Sequence, residues 1–250
     1  MTLTYSLLDF RRMVRNPGIL IFAVLMPTAF YMMFGALQNY SDVVVFHGNV
    51  SAVIMTSMAS YGAVIAATSL GANAALEQDR GWGRQLAITP MTPARYLISK
   101  GLSIQLVTLL PVASVFALSI VLGARIEGIG WLWAFLLCWG CTMPFTVFGL
   151  GMAQLIRTET AGAITSFCVI GFAFLGNMLV PLSGFMLELS RFTPLYGINQ
   201  LARYPVMGAW EMTGGEPAPF NIWIAVANLA AWAAVFTGGA LLASRRGQER

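Results

Sequence analysis

Six apolar runs, each long enough to cross a lipid bilayer as a helix, leave this chain very few possible folds. They cover residues 18–37, 51–76, 97–123, 131–155, 161–180 and 221–243. The bilayer core is about 30 Å thick, so roughly 20 residues of helix cross it. Little chain is left for anything outside the membrane, and residues 1–250 read as a single transmembrane domain. A membrane barrel would need strands of about 10 residues with strict alternation, which these runs lack. Composition agrees, with 58% of residues hydrophobic and only 10% charged, whereas a soluble domain carries about a quarter. The expected fold is all-α and integral to the membrane.

The net charge of +4 points to topology rather than to nucleic acid. With both termini in the cytoplasm, Arg11, Arg12, Arg15, Arg80, Arg84, Arg95, Lys100, Arg157, Arg245, Arg246 and Arg250 fall on that side, and only Arg125, Arg191 and Arg203 fall outside. That asymmetry follows the positive-inside rule. Residues 1–16 read as an interfacial helix, with Leu3, Leu7, Phe10 and Val14 on one stripe and Arg11, Arg12 and Arg15 on the polar side. Such a helix lies among lipid headgroups or packs on the protein itself. Asn16-Pro17 marks the next helix start. The first run is long for a signal peptide, and no clear cleavage site follows it.

Within the runs there is no acid, base or histidine well inside the membrane, only the amides Asn73, Gln105, Asn177 and Asn228. Proton- or sodium-coupled transport and voltage sensing normally use intramembrane charges, so energy for any uphill step must enter elsewhere. Cys138, Cys141 and Cys168 read as small apolar residues rather than as a metal or disulfide set. No metal site is expected. Asn49-Val50-Ser51 spells a glycosylation sequon, and His47 is the single histidine. No Ser/His/Asp or Cys/His set can be assembled, and the external carboxylates Glu188 and Glu211 make only a nominal acid–base pair.

Ala59, Ala63, Ala67, Gly71 and Ala75 recur every four residues in the second run. Small residues at that spacing let helix backbones approach closely, within one chain or across a dimer. Pro27, Pro111 and Pro144 are expected to kink the first, third and fourth spans. After the fifth run, residues 182–189 and 196–207 read as short helices dipping into the outer leaflet, which requires burial in protein or a cavity wall. An ordinary external loop is the alternative.

One loop stands out between the second and third runs: residues 77–100 hold six of the 24 charged residues, namely Glu77, Asp79, Arg80, Arg84, Arg95 and Lys100. A short helical core at 83–88 is stopped by Pro90 and Pro93. Trp82, between two glycines, is either a binding anchor or a headgroup anchor. The chain has no phosphate-binding loop, because Lys100 lacks a glycine-rich lead.

The string Glu77-x-x-Arg80-Gly81-Trp82-x-Arg84-Gln85-Leu86, followed by Thr89-Pro90-x-Thr92-Pro93, Tyr96-Leu97 and Lys100, resembles the first cytoplasmic loop of type-2 permeases of ATP-binding cassette exporters. Asn177-Met178-Leu179-Val180-Pro181-Leu182, then Pro194-Leu195-Tyr196 and Arg203, is similar to that family's signature around its fifth span and re-entrant helices. The resemblance covers nearly the whole chain. Gly81-Trp82 departs from the commoner Gly-Thr and is similar to the drug- and antibiotic-resistance branch.

The resemblance implies six transmembrane helices, an N-terminal interfacial helix, a cytoplasmic coupling helix after the second span and short re-entrant helices before the sixth. It implies a multi-pass protein of a bacterial cell membrane and no catalysis on this chain. ATP and Mg would bind a separate ATPase, present in two copies beside a second permease, identical or homologous. Glu77, Arg80, Gly81, Trp82, Gln85, Leu86, Thr89 and Pro90 would contact the ATPase. Tyr61, Thr68, Phe167, Phe172, Asn177 and Met178 would line the substrate path. Aromatic, Met and amide groups suit a hydrophobic or amphipathic cargo, a drug, antibiotic or lipid-like compound, moved outward. The competing readings are a lipid-linked glycan exporter, an integral-membrane lipid-modifying enzyme and a membrane scaffold.

Overall fold

The computed structural model describes residues 2–15, 21–77, 93–156 and 160–248. Helix α1 (Thr2–Val14) precedes α2 (residues 21–36), in which an α-helical segment Met26–Tyr31 lies between π-helical turns Ile21–Leu25 and Met32–Ala36. A two-residue ladder, β1 (Val44–Val45) with β2 (Gly48–Asn49), leads into α3 (Val50–Glu77). Then come α4 (Pro93–Val121), α5 (Gly130–Gly140), α6 (Met143–Ile156) and α7 (Ala161–Leu175). Short helices α8 (Gly184–Ser190) and α9 (Pro194–Met207) and a second ladder, β3 (Trp210–Glu211) with β4 (Ala218–Pro219), precede α10 (Ile222–Gln248).

Four stretches among the described residues are long and apolar enough to cross a membrane: Val50–Glu77, Ile98–Val121, Gly130–Ile156 and Ile222–Ala243. Ala23–Ala36 and Ala161–Leu175 are apolar but shorter. Helix α3 is the centre of the bundle, buried on nearly every side along its 28 residues, a length of about 42 Å. Helices α2, α4, α5, α6 and α7 pack on it, whereas α10 packs on α6 and α9; apolar faces remain outward, as Leu25 and Met33 on α2 and Trp223 and Leu242 on α10 illustrate. In lipid such faces are solvated by acyl chains, so packing rather than water exclusion holds the bundle.

The proline sites behave differently from one another. Pro27 cannot donate to the Ala23 carbonyl, four residues back. That oxygen faces Gly62, where a Cβ would lie 3.0 Å from it, 2.8 Å from Pro27 and 3.0 Å from Pro111. Gly62 thus lets α2, α3 and α4 converge at both prolines. Near Pro144 the stretch Gly130–Ile156 breaks at Cys141-Thr142, between α5 and α6. The Trp139 carbonyl at the break accepts from Gln105 Nε2 at 2.7 Å and Thr142 Oγ1 at 2.7 Å, while Trp139 Nε1 donates back to the Gln105 carbonyl at 2.7 Å. Helix α7 ends at Leu175, short of residue 180 expected for the fifth apolar run, because Gly176 and Asn177 (φ 56°) unwind the chain. Asn177 occupies the left-handed region that asparagine tolerates better than most residues. Its side chain satisfies the unwound segment, accepting from the Leu182 amide and donating to the Met212 carbonyl, both at 2.9 Å.

The small-residue stripe lies inside the chain. Ala59 and Ala63 pack with Val112, Val115 and Phe116 of α4, and Ala75 packs with Ala153 and Ala161. Ala67 belongs to the cluster around Ile104 and Phe145. At Gly71 the contact is with backbone: a Cβ there would collide with the Thr146 carbonyl, and one at Gly149 would collide with the Thr68 carbonyl. Gly149→Ala is therefore expected to force α3 and α6 apart and to lower the thermal midpoint of the purified protein by at least 5 °C, a shift of order ~2 kcal/mol. Gly101→Ala, with open space around its Cβ, should leave the midpoint unchanged or raise it, and equal midpoints for the two variants would refute the close crossing.

Candidate functional site at the loop end

Residues 78–92 join α3 to α4 in sequence, so the way the facing ends of those two helices are anchored decides what the segment can move. Helix α1 lies across this point. Its buried face is Ser6, Asp9 and Met13, at i, i+3 and i+7, while Leu7 and Leu8 point outward. The expected Leu3–Leu7–Phe10–Val14 stripe is thus not the contact face at Leu7, because polar partners on α4 draw the other side inward. Ser6 Oγ donates to the Ser99 carbonyl at 2.9 Å, and Ser103 Oγ donates to the Ser6 carbonyl at 3.1 Å. The Tyr5 and Tyr96 rings meet edge-on at 6.0 Å.

Four charges close the joint. Lys100 Nζ lies 3.2 and 3.1 Å from the two Asp9 oxygens and 2.7 Å from Glu77 Oε2. Arg12 Nη2 reaches Glu77 Oε1 at 2.6 Å and Asp9 Oδ1 at 3.1 Å. The Lys100 side chain is 2% exposed and Arg12 is 52% exposed, so the cluster has a dry half and a wet half. Burial works against the Arg12 charge, but Glu77 and Asp9 outweigh it and hold the guanidinium above the usual arginine range. Burial, with Tyr5, Glu77 and Asp9 nearby, pushes the Tyr96 hydroxyl well above the usual phenol range. Two anions and two cations balance, and the arrangement offers a mechanical link rather than a reactive group.

Glu77 sits inside this clamp as the last residue of α3. Arg80, Gly81, Trp82, Gln85, Leu86, Thr89 and Pro90 lie outside the described residues. The six path residues do not share one surface. Tyr61, Thr68, Asn177 and Met178 are buried in the chain, Phe172 packs against Phe148, and Phe167 is exposed on the outer face of α7.

The opposite end carries a second polar assembly that the sequence reading did not foresee. Glu211, fully buried, accepts from Arg191 Nη2 at 2.8 Å, Tyr196 Oη at 2.7 Å and Gln200 Nε2 at 3.2 Å. It is therefore a structural acceptor and not half of an acid–base pair with the exposed Glu188. Arg203 Nε donates to Ser57 Oγ at 2.8 Å, Ser57 donates to Asn199 Oδ1 at 2.9 Å, and Asn199 Nδ2 donates to the Asn177 carbonyl at 2.6 Å. This chain ties α9 to the upper part of α3 and to the unwound end of α7. Asn228 Nδ2 bonds the carbonyls of Arg191 and Thr193 at 2.8 and 3.0 Å. The sequon asparagine is buried as well, donating to the Gly123 carbonyl at 2.9 Å and capping α3 through the Ala52 amide at 3.1 Å.

The central buried helix thus carries a charged clamp at one end and an amide–arginine chain at the other. Residues 3–205 match the family model described as ABC-2 type transporter. The chain belongs to the ABC-2 type transporter family. It is 24% identical over 231 residues, 90% of each chain, to the Bacillus subtilis (strain 168) protein named "Putative transport permease YvfS". Membership makes this ABC-2 chain a multi-pass membrane subunit of an ATP-binding cassette transporter, and it implies a partner ATPase on which ATP is hydrolysed. The sequence signal for the clamp was present in the family-like Glu77 and Lys100. Asp9 and Arg12 carried none beyond the i, i+3 spacing of opposite charges on an amphipathic helix.

Proposed function

We propose that this chain is the membrane-spanning half of an ATP-driven exporter that moves a hydrophobic or amphipathic compound, such as a drug, antibiotic or lipid-like molecule, outward across a bacterial cell membrane. Six spans, with α2 and α7 completing the four longer ones, keep both termini in the cytoplasm, and α8 and α9 re-enter from the outside. Two such chains, identical or homologous, pair with two ATPase subunits. The loop formed by Arg80, Gly81, Trp82, Gln85, Leu86, Thr89 and Pro90 docks on the ATPase, with Glu77 at its root. ATP and Mg stay on that partner.

The observation that carries this reading is the position of Glu77. It ends the central helix α3 and is bonded at once to Arg12 of α1 and Lys100 of α4. A push on the loop is therefore shared by three helices as a rigid-body movement. The name of the Bacillus relative, a transport permease, supports the same class.

Gentle extraction of the tagged chain should bring down an ATPase with a phosphate-binding loop in stoichiometric amount. In the reconstituted complex, Trp82→Ala is expected to leave ATP hydrolysis running while export falls at least tenfold. Normal export by that variant would sink the docking role, and a stable preparation without any ATPase would sink the exporter reading itself. Trp82 is chosen over Glu77 because Glu77→Ala would also open the clamp.

A further inference from the structure

The end of the molecule opposite the clamp holds a recess of about 530 Å³ between the β1–β2 hairpin, the loop before α5, and α9. Its walls are set by backbone. The His47 amide donates to the Val206 carbonyl at 3.0 Å, the Glu127 amide donates to the His47 carbonyl at 2.9 Å, and the adjoining Gly48 and Ile126 pair as an antiparallel bridge. Gly208 stands beside the His47 ring with a positive φ of 60°, a backbone conformation that favours glycine. The recess is therefore shaped before any ligand arrives.

Its lining has a consistent chemistry. Among the described lining residues Glu127 is the one carboxylate, and none is Arg or Lys. The Glu127 side chain is 74% exposed and is approached by His47 Nδ1 at 3.4 Å, a long contact. Trp133 and Tyr204 supply aromatic surface, and Ile129 and Leu137 continue the wall along α5, whose outer face is exposed and apolar at Leu132, Trp133 and Leu136. A carboxylate beside aromatic rings favours an organic cation, because both the charge and the ring faces attract it. The apolar strip leading away along α5 favours a tail.

We propose that this recess is a binding site for an amphiphile with an ammonium head: Glu127, Trp133 and Tyr204 take the head and the outer face of α5 takes the tail. Such a head is offered either by a membrane lipid or by a free cationic amphiphile. The site is separated from the loop-end clamp by the length of α3, and it stands whether or not the coupling role of the loop holds.

The test is native mass spectrometry of the full chain held in a neutral maltoside detergent, titrated with dodecyltrimethylammonium. One saturable adduct is expected on the unaltered protein, bound at least tenfold more weakly by Glu127→Gln and several-fold more weakly by Trp133→Ala. Glu127 is exposed, so Glu127→Gln should keep the thermal midpoint of the parent, which separates lost binding from lost folding. Competition by dioctanoylphosphatidylethanolamine would identify a lipid head as an occupant. Binding of dodecyltrimethylammonium without such competition would identify a free cationic amphiphile. Equal binding by Glu127→Gln and the parent, no saturable adduct, or an equally strong adduct with dioctanoylphosphatidylglycerol would each overturn the proposal.

Discussion

Lys100→Ala lowers the stability of the purified chain by about 3–5 kcal/mol, while Arg12→Ala lowers it by less than about 1 kcal/mol. Both residues bond the same two acids, Asp9 and Glu77. They differ in burial. Lys100 is nearly dry, so removing it takes away the one buried cation of the clamp and leaves the buried Asp9 carboxylate with only the half-exposed Arg12, a state that costs several kilocalories because water cannot reach the vacated side. Arg12 is half in solvent, and its loss is answered by water and screening ions. The double variant Asp9→Leu with Lys100→Met removes both charges and should recover most of the loss. Reversible unfolding in mixed micelles gives the magnitudes. A thiol-reactive label on Ser6→Cys reports whether α1 lifts from α4, since Ser6 is buried in the joint. If Lys100→Ala proves as mild as Arg12→Ala, the four charges are not a buried unit and α1 is not clamped.

The bundle was legible wherever hydropathy decides the structure. The second run was expected at 51–76 and the helix is Val50–Glu77, because nothing in that stretch interrupts an apolar helix. The short helices after the fifth run were expected at 182–189 and 196–207 and lie at Gly184–Ser190 and Pro194–Met207. The deviations occur where side chains compete with the helix ladder. Asn177 ends α7 early by bonding the backbone around it, and Thr142 and Gln105 hold open the break in the fourth span. Hydropathy does not register such choices, since an amide in an apolar run scores the same whether it faces lipid, a path or a carbonyl. The amides Asn177, Asn228 and Gln105 turn out to be cross-links between elements.

The charged groups were the least legible. Asp9 and Glu211 are buried acids with partners on other elements, Lys100 at 91 residues from Asp9 and Arg191 at 20 residues from Glu211. No local spacing announces a pair of that kind. The positive-inside count treats Lys100 and Arg203 only as markers of side, yet both are buried, one in the clamp and one against Ser57 in α3. Polar groups thus hold both ends of the central helix, and apolar packing holds its middle.

The second large effect is expected at the other end, where Glu211→Ala should cost about 3–5 kcal/mol and Arg191→Ala about 1 kcal/mol or less. Glu211 has no contact with solvent and accepts three hydrogen bonds. Without it the buried Tyr196 hydroxyl and Gln200 amide lose their acceptor, and the buried Arg203 loses the favourable negative charge of Glu211. Each orphaned donor adds a desolvation cost of roughly 1–3 kcal/mol. Arg191, with 37% of its side chain exposed, can turn to water when its partner or its own charge is removed. Glu211→Gln should fall between the two, because it keeps an acceptor oxygen but not the charge. The loss should be local at first: α9 carries the bonds to Ser57 and to the Asn177 carbonyl, so hydrogen exchange at 194–207 should rise before exchange in α3. Equal midpoints for Glu211→Ala and Arg191→Ala, with unchanged exchange in α9, would mean that the buried acid does not hold the short helices onto the central one.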